Sequence, residues 1–227
     1  SLMHHPVSLI AGASGLIGNH VLRYLIEKDQ SCILVVRQKI EGLDDNIQQV
    51  ITNFSHLDKD LSGSLPVVDH FYLCLGLRLK TNELIFMDAN KKQEFAMVDF
   101  DYSLALANIA FKNGAKKISI VSAAGADANS FNYYAKIKGK LEQAISDIGF
   151  EQVTIARPGH LLGLREESRG VEIPILEAGL KLAEPFMQGP LINFRQIEAS
   201  KVAAAMVRVT NTDRSGKQIL HFNDFVS

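Results

Sequence analysis

The 227-residue chain contains no tryptophan, and aromatic residues make up only 7% of it. A platform on which the bases of a single strand could stack is therefore not expected. Charge of one sign is lacking as well: 24 Lys+Arg stand against 25 Asp+Glu, for a net charge of -1. That balance gives no electrostatic footprint for nucleic acid or for an anionic membrane surface. No run approaches the roughly 18 continuous apolar residues of a membrane span. Nor does the N-terminus show a basic segment followed by a cleavable apolar one. Cys32 and Cys74 both sit in apolar runs, so neither a disulfide framework nor a zinc site is expected, and a cytoplasmic location fits best. His56, His70, His160 and His221 show no H-x-x-x-H spacing, and no metal site is expected from them.

What the chain does have is 47% hydrophobic and 22% charged residues, the make-up of an ordinary globular protein. Its length suits one domain. Ser1-Leu2 ahead of Met3 reads as a cloning remnant, so the domain is taken as 3–227. No repeat, low-complexity tract or linker divides it. Short apolar runs alternate with longer amphipathic segments, as in successive βα units around a parallel sheet. Strands are expected at 7–11, 33–36, 50–54, 69–75, 117–122 and 152–156, with a last short one at 218–222. Helices are expected at 15–28, 91–112, 132–149, 173–183 and 199–210. Residues 160–198 carry Gly, Pro and mixed charge around one short helix, and read as a substrate-side segment.

Gly12-Ala-Ser-Gly15-Leu-Ile-Gly18 falls between the first expected strand and helix, where backbone amides and a helix dipole can hold a pyrophosphate. Small residues at 12 and 15 allow a tight turn and close approach of phosphate, and Gly18 allows the helix to pack on the sheet. At the end of the second strand, where a carboxylate would grip the ribose hydroxyls of NAD, stands Arg37. A guanidinium pairs with a 2′-phosphate, which favours NADP(H); a solvated surface arginine is the alternative. Tyr134 and Lys138 lie four apart in an expected helix and share a face. An ammonium beside a phenol favours phenolate and can also hold a ribose, while the phenol passes a proton to or from a carbonyl oxygen. Ser122, at the end of the fifth strand, could hydrogen-bond the same oxygen.

The turn GASGLIG, the segment SAAGAD with YAKIK downstream, and ARPG together resemble the short-chain dehydrogenase/reductase superfamily, in its atypical branch. Within that branch CLGLRLK, VDFDYSLALANIAFKNGAKKISIVSAAGAD, YYAKIKGKLE and ARPGHLLGLREESRG, in that order, resemble the Tat-interacting-protein-like oxidoreductases. The resemblance implies a single Rossmann-like, doubly wound α/β domain with helices on both faces, binding NADP(H). Gly12, Ser14, Gly15, Leu16, Ile17 and Gly18 would form the phosphate turn, and Arg37 the 2′-phosphate contact. Leu75 and Gly76 would lie beside the adenine-side ribose, and Pro158, Gly159, His160 and Leu161 would border the nicotinamide. Ser122, Tyr134 and Lys138 would be the catalytic set. The asparagine that often completes the family's proton relay has no secure counterpart; Asp99 and Asn108 are the candidates on the long helix.

Two functions from different classes follow. One is an NADPH-dependent reductase of a small carbonyl compound, with Tyr134 supplying the proton. The other is a non-catalytic NADP(H)-binding module that controls a protein partner. An NAD-using epimerase or dehydratase is disfavoured by Arg37 and by the short carboxyl half. Arg165 and Arg169 could meet an acidic substrate, although a solvated loop is the favoured reading of them. A monomer and a homodimer both fit the sequence.

Overall fold

The apolar runs pair into one parallel sheet. In the computed structural model, which describes residues 5–61, 63–162 and 172–227, its strands are β1 (Val7–Ala11), β2 (Ser31–Val36), β3 (Gln48–Ile51), β4 (His70–Leu73), β5 (Lys117–Val121), β6 (Gln152–Ala156) and β9 (Gly216–Leu220). They stand in the order β3-β2-β1-β4-β5-β6-β9, each neighbour parallel. β4 and β6 are buried at every residue, and β1 and β2 at all but their first. Helices cover both faces of the sheet, which is why these strands read as continuous apolar runs without alternation.

On one face α1 (Leu16–Glu27) and α8 (Ala199–Thr210) pack Val21, Leu25, Val202 and Met206 over Ile10, Leu34 and Tyr72. On the other, α5 (Ser103–Lys112) and α6 (Tyr133–Ser146) set Leu106, Ala110, Leu141 and Ile145 against Leu9, Phe71 and Ile118. Neighbours such as Leu9 and Ile10 thus serve opposite cores, the period-2 consequence of a pleated strand. Strand order reverses between β1 and β4, and beyond the carboxyl ends of those strands an open α/β sheet leaves its ligand crevice. Ala11 lies opposite both Val35 and Leu73, so β1, β2 and β4 end nearly level at that crevice.

The expected helix at 91–112 is interrupted. α4 (Ala89–Ala96), started by Asp88 accepting from the Lys91 amide at 2.8 Å, leads into a π-helical turn at Met97–Tyr102 before α5. There the buried Ser103 hydroxyl donates back five residues to the Val98 carbonyl at 3.3 Å. The third strand ends at Ile51 rather than 54 because Phe54 takes φ +70, outside any strand conformation. The last strand sits at Gly216–Leu220 rather than 218–222; residues Phe222–Val226 are a short helix, α9, whose Asp224 accepts from the His221 amide. Helices α2 (Leu57–Leu61) and α3 (Thr81–Ile85) were not expected, being too short for a periodic signal.

Within 160–198, β7 (Leu161–Leu162) pairs with β8 (Ile197–Glu198), and α7 (Glu172–Ala183) is followed by 3-10 turns at Glu184–Phe186 and Gly189–Phe194. This segment crosses the carboxyl end of β6 closely: a Cβ on Gly159 would overlap the backbone of Phe194 and Arg195. Arg165 and Arg169 lie outside the described residues.

Candidate functional site

The glycine turn is built by contacts that no side chain could make. Gly12 has φ +88, and a Cβ there would overlap the Cys74 carbonyl just after β4. The Gly15 amide closes the turn onto the Gly12 carbonyl at 2.9 Å. A Cβ on Gly18 would strike the same carbonyl, so α1 rests directly on the turn. Gly15 is the N-cap of α1 and offers no side-chain cap, and the first turn holds no acidic residue. Gly15, Leu16 and Ile17 line a cavity of about 360 Å³. Uncapped helix amides carrying the positive end of the dipole and facing a cavity suit an anion such as a pyrophosphate.

A second cavity of about 450 Å³ lies on the other side of the turn, lined by Gly12, Ser14, Arg37, Gln38, Lys39 and Phe54. Leu75 lines both cavities. The Arg37 guanidinium sits 5.2 Å from the centroid of the Phe54 ring. Among the described residues lining this second cavity there are two cations and no carboxylate. Such a lining suits an anionic group, and the two cavities, which share Leu75, fit the two halves of a dinucleotide.

Tyr134 and Lys138 rise from one face of α6, a helix started by Asn132 accepting from the Ala135 amide at 2.9 Å. Both line the first cavity with Ser122, Gly76, Pro158, Gly159 and Leu161. The Lys138 ammonium lies 5.8 Å from the Tyr134 ring centroid, and Phe95 of α4 stacks against the same ring at 5.3 Å. Lys138 is also paired: its Nζ is 2.7 Å from Asp99 Oδ1, with side-chain exposures of 6% and 2%. Asp99 Oδ2 accepts from the Leu77 amide at 2.9 Å. Burial pushes the Tyr134 phenol up; Lys138 pulls it down and Asp99 pushes it up again. Burial alone would lower the Lys138 ammonium, but Asp99, with Tyr134 and Glu142, holds it above its usual value.

Of the two relay candidates, Asp99 thus stands in the site and Asn108 does not. The Asn108 amide is spent within its own helix, donating to the Leu104 carbonyl on the exposed side of α5. Ser122 lines the cavity, but its hydroxyl donates to Glu142 Oε2 at 2.9 Å, and Glu142 is clamped by Arg157 at 2.6 Å. With its one proton directed at Glu142, Ser122 presents lone pairs to the cavity rather than the donor that the sequence suggested. His160 departs from its neighbours. Its backbone is held by the Ile197 amide and its Nε2 lies 3.2 Å from Glu177 Oε1, so it lines neither cavity.

Glu142 and Arg157 were missed from sequence. The signal for Glu142 was present: Tyr134, Lys138 and Glu142 repeat every fourth residue along α6. Among the described residues no group of three or more His, Cys, Asp or Glu is placed to hold a metal ion.

The architecture has known counterparts. A short-chain dehydrogenase/reductase superfamily protein from Agrobacterium tumefaciens with bound NAD superposes with a TM-score of 0.69 at 12% identity, covering 95% of this chain and 77% of that one. In sequence, Protein HTATIP2 of Rattus norvegicus is 30% identical over 172 residues, 74% of this chain and 67% of its own. Protein FMP52, mitochondrial, of Candida albicans is 36% identical over 197 residues, 86% of this chain and 85% of its own. The model of the NAD dependent epimerase/dehydratase family matches residues 8–223. With the glycine turn, the parallel sheet and the Tyr134–Lys138 helix all in place, the chain belongs to that NAD dependent epimerase/dehydratase family.

Proposed function

We propose that this protein is an NADPH-dependent oxidoreductase that reduces a small carbonyl compound, with Tyr134 as general acid. The observation that carries this reading is the shared cavity: the uncapped start of α1, Tyr134 and Lys138 all line one space at the carboxyl ends of β1, β4 and β5. A nicotinamide cofactor bound there would supply hydride to the carbonyl carbon. Tyr134 gives its phenolic proton to the carbonyl oxygen, breaking one O–H bond and forming another. Lys138 holds ribose hydroxyls with the ammonium protons that Asp99 leaves free. Leu75, Leu77, Leu79 and Leu161 exclude water from the reacting face and suit an apolar substituent on the carbonyl. The choice of NADPH over NADH rests on Arg37 and Lys39 in a cavity lining without a carboxylate.

One observation favours the second reading, a nucleotide-binding module that controls a protein partner: Lys138 and Ser122 are each already engaged by a carboxylate. Turnover separates the two. A panel of aldehydes, ketones and quinones should show NADPH oxidation that falls by about 10² or more in Tyr134→Phe, the scale of a lost general acid, with NADPH affinity nearly intact. Equal turnover of Tyr134→Phe and wild type on a genuine substrate removes the catalytic assignment. A module shows no turnover on any panel member and captures its partner in a nucleotide-dependent way that ignores the Tyr134 hydroxyl. The cytoplasmic location rests on cysteine usage, and the mitochondrial names of the FMP52 relatives weigh against it. Among the described residues no helix is long and apolar enough to cross a membrane.

A further inference from the structure

The ammonium that would ordinarily activate the phenol is bound to something else. Lys138 Nζ is 2.7 Å from Asp99 Oδ1, but 5.8 Å from the centre of the Tyr134 ring. The carboxylate is fixed from a second side by the Leu77 amide at 2.9 Å, and it sits in the π turn, where the helix presents Asp99 to the cavity. A cation this close to an anion acts on a third group as a dipole, whose effect falls off faster with distance than that of a lone charge.

We propose that Asp99 is a charge-setting residue: by locking onto the Lys138 ammonium it withholds that charge from Tyr134, so that the site gives up its proton in carbonyl reduction and serves poorly as a base in alcohol oxidation. The inference rests on the reductase reading for its chemistry. In the reducing direction the phenol O–H bond breaks, its proton passes to the carbonyl oxygen while the bound nicotinamide gives hydride to the carbon, and the phenol is restored by a proton from water. The oxidising direction needs the phenolate first, and Asp99 opposes it.

Other charged groups around the phenol do not replace Lys138. Glu142, one turn further along α6, is matched by Arg157 at 2.6 Å. On α4, Lys92 stands 5.2 Å from the ring of Tyr133, not Tyr134, and Phe95 is apolar. Arg78 of the segment after β4 lines the cavity, but the charged groups that shift the phenol are Lys138 and Asp99. Ser122, after β5, is uncharged. Burial is the main cause of the raised phenol; Lys138 pulls it down, and Asp99 offsets part of that pull.

The test is a titration of phenolate absorbance on the full chain without cofactor or substrate, for wild type, Asp99→Asn and the double variant Asp99→Asn/Lys138→Met. Each is read against the same protein carrying Tyr134→Phe, up to the pH at which its fold is lost. Asp99→Asn should lower the Tyr134 midpoint by about one to three pH units, the range for a newly unmatched neighbouring charge. The double variant should return to near the wild-type behaviour, because the pair leaves together. Alcohol oxidation by Asp99→Asn should extend to correspondingly lower pH. An Asp99→Asn protein whose phenol stays protonated as long as that of wild type overturns the proposal. If Asp99→Asn does not fold, the double variant decides: a midpoint close to wild type supports it, and one raised by about a unit or more shows Lys138 acting on Tyr134 unscreened and overturns it. The titration needs no turnover. A shifted midpoint in a protein that reduces no carbonyl therefore upholds the charge role and refutes the reductase reading alone.

Discussion

Arg37→Ala is the sharpest probe of cofactor choice, because the structure sets both the size of the effect and what survives it. The guanidinium lies over Phe54 at 5.2 Å and lines the second cavity beside Lys39. A hydrogen bond to a charged group contributes about 1.5–3 kcal/mol, and the ring contact at an exposed site about 0.5–1 kcal/mol toward holding the guanidinium in place. Arg37 is exposed, so solvent screens it, and Lys39 stays behind to attract the phosphate. Both points favour the lower end of the range, a loss of roughly tenfold in NADPH affinity. NADH lacks the 2′-phosphate and should lose less than about twofold, so calorimetric titration of the two nucleotides should show the preference collapse. Raising the salt should shrink the wild-type preference more than that of the variant, in which only the attraction of Lys39 is left to screen. Equal losses for NADPH and NADH would refute the assignment of Arg37 to the 2′-phosphate.

Gly15→Val should stay folded and lose nucleotide binding. Gly15 has φ -80, open to any residue, and the nearest atom to a Cβ there is the Gly12 carbonyl oxygen at 3.2 Å, whereas the added methyl groups enter the first cavity. A cooperative melt with unchanged nucleotide affinity would contradict the turn's role. Glu142→Ala leaves Arg157 without its partner and Ser122 without its acceptor. Breaking a buried pair costs about 3–5 kcal/mol, and because the Arg157 side chain is 24% exposed the lower figure applies. Thermal unfolding should then move down by roughly 6–12 °C for a chain of this size, and a shift under about 2 °C would show that the clamp contributes little.

The parts of the fold that local sequence determines were legible from sequence. The glycine turn could be read because each small residue answers a local requirement, the left-handed φ at Gly12 and the contact of Gly18 with the turn. Strands buried on both faces announce themselves as apolar runs, as Ile33–Val36 did within β2. What could not be read depends on distant chain or on phase. β7 and β8 are two residues each and exist only because they meet each other. Asp99 and Asn108 looked alike as relay candidates because a helix of uniform pitch was assumed through both. The turn at Met97–Tyr102 changes which way each points, and hydrophobic period does not encode it. His160 sits in a recognisable motif, yet its direction is set by Glu177, 17 residues later. Glu142 lay within reach of the same four-residue spacing that found Lys138, but its partner, Arg157, comes from the far end of β6.

The wide turn between α4 and α5 also divides responsibilities along one continuous helix. A π turn takes in an extra residue without adding a turn, so the segments before and after it are offset by about the 100° that one residue occupies. Phe95, upstream, answers to the ring of Tyr134, while Leu106 and Ala110, downstream, answer to the sheet. Substitutions in α5 are therefore constrained by the core and those in α4 by the chemistry, with each half free to drift without turning the other. Asp99 stands at the joint, which makes its direction the one quantity on which both halves must agree.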